Sequence, residues 1–331
     1  MAWLLATLLS IKIGGSHAQE REPVIHRIIK MEVTSKSQTL WKGYFRDRLF
    51  ALFVIGLPFF SAPEQDILLD SGGIIFVILI TLLIAEILER MNSFPISETF
   101  LNLGMPIGIL GTAVGLVGVF ETMSDTGVEL SKTSLGVSTY YMLATVFYGF
   151  LMSVLGFVLT DKKEMTSIRL PITSKSFYLV LFIFCLAVWL ALSSGSGVRG
   201  AISLPPAILT AGLVIAFNLA RKETGLAENF ADASLASIVM GIIVTIVTLY
   251  GNFGQSPNYD YIEPHAYLEI TAYACYTLLY GSFLYVFSFL LSLRTNEVRE
   301  INFKARNWHM LEAFSFFVFM TLAAPSIFEL V

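Results

Sequence analysis

What this sequence has little of is charge. Of its 331 residues only 14% are Asp, Glu, Lys or Arg, while 55% are hydrophobic. Soluble domains carry roughly 25% charged residues. With a mean hydropathy of +0.72, a chain of this length has more apolar surface than a soluble core can hide, whereas a bilayer can take it. There are two cysteines, Cys185 and Cys275, too few for the disulfide framework of a small secreted scaffold. Both lie in apolar runs and read as small buried hydrophobes. His17, His26 and His309 have no companions at metal-ligand spacing, and a net charge of −4 gives no footprint for nucleic acid. No glycine loop stands between a strand and a helix, since Gly195–Gly200 reads as a turn between spans rather than a phosphate cradle. No nucleophile–base pair is recognisable, and no apolar run carries an acid or base at its centre, where an intramembrane proton site would put one. The expectation is a protein that is not an enzyme and has no cofactor and no metal.

What is there is a series of long apolar runs. A spanning helix needs about 20 such residues, and the chain offers about nine candidates by that measure. They lie near Leu49–Ser61, Gly72–Leu88, Met105–Phe120, Leu135–Leu159, Phe177–Leu192, Pro205–Leu219, Ile238–Phe253, Tyr267–Leu293 and Met310–Leu330. The predicted fold is an all-α polytopic membrane bundle. Lys and Arg gather before the first span (Arg21, Arg27, Lys30, Lys36, Lys42, Arg46, Arg48). They gather again after the fourth (Lys162, Lys163, Arg169, Lys175), the sixth (Arg221, Lys222) and the eighth (Arg294, Arg299, Lys304, Arg306), with Arg90 after the second. The opposite loops hold only Lys132 and Arg199. Because cytoplasmic loops keep the positive charge, this alternation predicts a cytoplasmic N-terminus and an external C-terminus. Trp41 and Trp308 fall where interfacial anchors belong. Residues 1–20 fit either a secretory signal, with Ser16-His17-Ala18 as a small-residue cleavage site, or an interfacial helix. The second fits better, because cleavage would leave the following basic stretch outside.

Sliding the chain against itself by 133 positions aligns 67–120 with 200–253. The match sharpens where Gly108, Ile109, Thr112, Leu116, Gly118 and Phe120 fall on Gly241, Ile242, Thr245, Leu249, Gly251 and Phe253. After one residue of slippage, Tyr141, Thr145, Tyr148, Gly149, Val154 and Phe157 fall on Tyr273, Thr277, Tyr280, Gly281, Val286 and Phe289. A four-span unit returns to the side it started from, so two copies would be parallel repeats. The expected organisation has an N-terminal cytoplasmic or interfacial segment at 1–48 and a first four-helix repeat at 49–160. A linker at 161–175, a degenerate second repeat at 176–293, and a linker with a C-terminal transmembrane helix at 294–331 follow.

Residues three and four apart share a helix face. Gly108, Gly111, Gly115 and Gly118 therefore form a smooth stripe that lets another backbone approach, and Thr112 stands beside it. The string from Gly108 to Phe120, followed in the next span by Gly136, Thr145 and Gly149, resembles the MotA/TolQ/ExbB proton-channel family. The resemblance is specific over about 50 residues, roughly 104–160, and faint over 237–292. It implies a subunit of the bacterial inner membrane, part of a homo- or hetero-oligomer. Such a subunit packs around a single-span partner whose membrane aspartate takes up and releases protons, and ion flow does mechanical work at the envelope. Thr112 and Thr145 would occupy the family's pore-facing threonine positions, with Thr245 and Thr277 as counterparts. Gly149, Gly241, Gly251 and Gly281 would join the first stripe as helix-packing positions. The chain departs from the pattern at several points. Thr139 stands where a glutamate is expected, and the spacing from Gly136 to Thr145 is one residue longer. Val244 and Thr248 interrupt the second stripe, and Glu89–Gly104 replaces a large cytoplasmic region.

Other polar residues read more plainly. Glu86 and Glu89 near Arg90, and Glu312 near Arg306 and His309, suit interfacial or snorkelling side chains. Asp260, Glu263, His265 and Glu269 in the outer loop 252–269 suit a solvated acidic loop or a docking surface better than a metal site. Two rival readings stay open. One is a two-repeat solute transporter, with Pro58 and Pro106 breaking helices; the other is a non-conducting structural subunit of a larger membrane complex.

Overall fold

The structure is a computed structural model describing residues 73, 75–92, 94–126, 132–160, 171–195, 203–255, 264–295 and 301–329, with side chains described outside 92, 118–143, 194–195, 249–269, 304 and 320–329. The N-terminal segment, the first expected span, Trp41, Pro58 and the core of the acidic loop at 256–263 lie outside the described residues. A π-helical turn, Ile75–Leu79, runs into α1 (Ile80–Asn92). There follow α2 (Ile96–Thr126), α3 (Lys132–Leu159), α4 (Ser174–Gly195), α5 (Leu204–Ala220), α6 (Leu226–Gln255), α7 (Pro264–Thr295) and α8 (Phe303–Glu329). Among the described residues the protein is all-helical. That is what an apolar solvent demands, because each backbone N–H and C=O must find its partner within the segment.

Among the described residues, four segments are long and apolar enough to cross a membrane: Ile96–Val117, Ser174–Ser193, Leu226–Thr248 and Ile270–Thr295. Ala144–Leu159 and Leu204–Ala220 are shorter apolar helices. Each expected apolar run from the second onward overlaps a helix, but the runs at 72–88 and 310–330 fall on α1 and α8, which are not among these apolar segments. α2 and α6 begin well before their apolar runs. α2 starts at Ile96 rather than near Met105, and α6 at Leu226 rather than near Ile238. The early turns of both hold polar residues that are satisfied locally or across helices. Asn102 Nδ2 donates to Glu98 O (2.8 Å), and Ser234 Oγ donates to Ala231 O (2.7 Å). Glu98 is buried in the first turn of α2.

The most extensive pairings are α2 with α3 and α6 with α7, and α7 also lies along α2. The spanning part of α2 is 78% buried, whereas that of α4 is only 28% buried, so α2 is central and α4 peripheral. α4 is apolar all round. Phe177, Val180, Phe184 and Val188 face the core, while Tyr178, Phe182, Leu186 and Trp189 form an exposed stripe on the other side. A helix of that kind belongs in lipid. Phe184 stacks on Phe283 of α7 at 5.1 Å between ring centroids, and Phe94 meets Phe289 edge-on at 6.1 Å.

One end of the bundle collects the start of α2, α4, α6 and α8 and the end of α3, α5 and α7. Ile172 N donates to Leu293 O (3.1 Å), Ser288 Oγ donates to Ala227 O (3.0 Å), and Arg294 lies over the rings of Phe177 and Tyr178. Arg306 of α8 reaches α6 at this end, 2.9 Å from Asp232 and 3.2 Å from Glu228. Asp232 also pairs with Arg221.

Phe182, 64% exposed near the middle of α4, tests the bilayer assignment. Phe182→Lys should raise the apparent insertion free energy of the α4 segment by about 2.5–3.5 kcal/mol, read as a fall in the inserted fraction in a translocon assay. In a water-facing helix the same change would cost almost nothing.

Candidate functional site

The candidate site begins with small residues on two neighbouring helices. On α2 they are Gly104 and Gly108. On α3 they are Gly149, Ser153 and Gly156, recurring at spacings of four and three so that they share one face. A Cβ added to Gly108 would lie 2.8 Å from Gly149 Cα and 2.8 Å from Thr145 O. One added to Gly149 would lie 2.6 Å from Gly104 O and 2.7 Å from Gly108 Cα. At Gly156 it would strike Ser97 O (2.5 Å) and the backbone of Leu101. Every obstacle is main chain, which cannot rotate away. α2 and α3 therefore touch backbone to backbone, and the side chain each glycine lacks is what allows it.

This contact brings two of the expected threonines together. Thr112 and Thr145 lie Oγ1 to Oγ1 at 2.5 Å, and Thr112 Oγ1 is 3.2 Å from Gly108 O, within donating reach. Thr112 is 1% exposed and Thr145 7%, so the pair is enclosed between the helices. Gly111 faces another neighbour. A Cβ there would come 3.0 Å from the Phe76 ring of the π-helical turn and 3.5 Å from Thr145 Cβ. A Cβ added to Gly115 would meet no atom of the described residues within 4 Å, and Gly115 is exposed. The stripe therefore winds from a filled seam at Gly108, past an aromatic contact at Gly111, to an open face at Gly115. Gly118 lies in α2 but outside the described side chains, as Gly251 does in α6.

The corresponding positions in α6 and α7 are arranged differently. A Cβ on Gly241 would collide with the Thr277 side chain, and one on Gly281 would lie 2.5 Å from Ile238 Cγ1 and 2.9 Å from Ser234 O. These helices also pack closely, but Thr245 and Thr277 do not bond each other. Thr245 Oγ1 donates to Ile270 O (3.2 Å) and Thr277 Oγ1 to Ala274 O (2.9 Å). Where the first pair has Gly104 and Gly156, the second has Ser237 and Ser288. Ser237 shares a hydrogen bond of 2.6 Å with Thr210 of α5, and Ser288 donates to Ala227 O.

Glu86 pairs with Arg90 one turn away and Glu312 with His309, both at exposed positions, and Glu89 is exposed. Cys275 is buried and Cys185 half-buried, both as free thiols. Among the described residues no three His, Cys, Asp or Glu side chains come together. Sequence reasoning passed over Gly104, Ser153 and Gly156, although continuing the small-residue spacing of three or four would have reached them. It also read Arg221 and Arg306 only as loop charge. Glu228 and Asp232, four apart at the start of α6, were the visible half of that cluster.

Compared with protein-family models, curated proteins and solved structures, the chain has no match.

Gly149→Leu should destabilise the purified protein by about 1–3 kcal/mol or more, the range for overpacking a tight contact. Gly115→Leu should leave its melting temperature within about a degree, because small surface effects stay near zero. Thermal unfolding of both variants in the same detergent measures the difference.

Proposed function

We propose that the chain is a MotA/TolQ/ExbB-like membrane channel or scaffold subunit that packs against the transmembrane helix of a partner and couples ion or proton movement to work at the cell envelope. The observation that carries this reading is the Thr112–Thr145 hydroxyl pair set into a glycine seam between two close-packed helices. These are the residues through which the sequence resembles that family. The seam at Gly104 and Gly108 is filled by α3 of the same chain. The surface left for a partner is therefore the next one along the stripe, around Gly115, where a helix could approach without meeting a side chain of the described residues. The partner fitting this reading is a single span with a membrane aspartate, in a homo- or hetero-oligomeric complex of the bacterial inner membrane.

The reading extends to topology. It takes nine spans, two parallel four-helix repeats and a ninth helix, with the end of the bundle that holds Arg90, Arg221, Arg294 and Arg306 in the cytoplasm. A phosphatase inserted at 256–263 should then be active and one inserted at 161–170 inactive, measured in whole cells of a bacterial host.

The enclosed state of the threonine pair favours a second reading, a structural subunit that does not conduct. Two variants separate the two in membranes. Gly115→Cys, with Cys185 and Cys275 replaced by Ala, should crosslink to a single-span partner; no adduct at Gly115, with adducts formed elsewhere, would rule out the proposed face. Thr112→Val together with Thr145→Val should lower ion flux through the complex at least about tenfold, the scale of a lost polar contact in a desolvated path. Unchanged flux with the complex intact would assign the structural role.

A further inference from the structure

Pro106 lies inside α2. A proline has no N–H to give and its ring crowds the carbonyl four residues back, so the carbonyl of Asn102 loses its helical donor. In water a solvent molecule would replace it. In an apolar surrounding the protein must supply one, and here three other helices take part. Asn307 of α8 places Nδ2 at 3.3 Å from Asn102 O and 3.2 Å from Leu101 O. Ser153 of α3 accepts the Met105 N–H at 2.9 Å. Tyr285 of α7 donates its hydroxyl to Asn307 Oδ1 at 2.7 Å. The orientation of the Asn307 amide follows from its neighbours, because two carbonyls can only accept and therefore face the NH2 group. Tyr285 is fully buried and Asn307 is 9% exposed.

Two features make this more than a repair. Beside Pro106 is a cavity of about 330 Å³ lined by Leu101, Met105, Ser153, Asn307, Trp308 and Leu311 among others, so α2 has space to bend on that side. The residue before Asn307 is Arg306, which ties the same turn of α8 to Asp232 and Glu228 of α6. One turn of α8 thus holds the proline-containing stretch of α2 on one side and the start of α6 on the other.

We propose that α8 is a latch on a hinge in α2. With Asn307 seated, the helical turn before Pro106 is fixed. With α8 drawn away, the carbonyls of Leu101 and Asn102 lose their donor, and the C-terminal part of α2, which carries Gly108 and Thr112, is free to swing. Asn307 is a positioning residue in this device, and the device does not depend on whether the chain conducts ions.

The test uses the full-length protein in lipid nanodiscs, with hydrogen–deuterium exchange read on peptides covering 99–110. Asn307→Leu should speed exchange there about tenfold, the scale of one to two lost hydrogen bonds, and leave peptides from α4 unchanged. Pro106→Ala returns an N–H to the Asn102 carbonyl. In Pro106→Ala/Asn307→Leu, exchange at 99–110 should therefore fall back to the level of Pro106→Ala alone. No change at 99–110 in Asn307→Leu, an equal rise over the whole chain, or a double variant as fast as Asn307→Leu would each overturn the proposal. If Asn307→Leu does not fold, recovery of a monodisperse protein in the double variant supports the latch, and failure of both overturns it.

Discussion

The distance between the backbones of α2 and α3 is the constraint on which the rest of the structure turns. Between helices in lipid there is no hydrophobic gain from contact, because the lipid is as apolar as the side chains, and association relies on close packing and interhelical hydrogen bonds. Individually these bonds are weak, about 0.6 kcal/mol on average in one well-measured membrane bundle. Glycine in a helix costs about 1 kcal/mol relative to alanine. Gly104, Gly108, Gly149 and Gly156 are tolerated because each removes a collision with main chain and so permits many van der Waals contacts at once. The same approach makes the polar contacts geometrically available. At a larger separation Thr112 would not meet Thr145, and Ser153 would not reach the Met105 N–H. The seam and the proline beside it are therefore one structural problem with one solution.

The α6–α7 pair meets a similar demand with a different set of residues. At the positions aligned with Gly104, Pro106, Ser153 and Gly156 it has Ser237, Val239, Tyr285 and Ser288. With valine in place of proline no backbone group is orphaned, so a serine at the position of Tyr285 would have nothing to repair. Tyrosine there reaches across instead and supports Asn307. Ser237 and Ser288 give hydroxyls to α5 and to the start of α6, where the first pair has bare glycine against backbone. The first pair is thus built around steric absence and the second around hydroxyl donors, which is why Thr112 and Thr145 bond each other while Thr245 and Thr277 each bond a main-chain carbonyl.

Much of this was legible in the sequence, for definite reasons. Apolar length alone locates α4 and α5, because almost nothing polar interrupts them. It locates α2 and α6 late, because Ser97, Glu98 and Asn102, or Glu228, Asn229 and Asp232, look like a loop until their side chains are seen turned onto nearby carbonyls or across to an arginine. A glycine stripe announces that a backbone comes close, but it does not say whose. The sequence suits a partner's helix, whereas at Gly104 and Gly108 the close neighbour is α3 of the same chain. Least legible were contacts between residues far apart in sequence. Asn307 lies 206 and 205 positions from the carbonyls it serves, and no local pattern distinguishes it from a surface asparagine at a helix start.

The C-terminal helix bears on how such a bundle can hold together. α8 falls outside both of the aligned blocks, yet its first turns carry polar links to each. Arg306 is only 14% exposed at its side chain and sits between two carboxylates. A buried charge in that position is costly when a partner is removed, so withdrawing α8 would leave Asp232 with Arg221 alone and take Arg306 from Glu228 while also uncovering the carbonyls before Pro106. These two penalties lie on different helices but are incurred by one movement. That coupling makes α8 a structural link between α2 and α6 rather than an appended span, and it follows from two consecutive side chains, Arg306 and Asn307, facing opposite halves of the bundle.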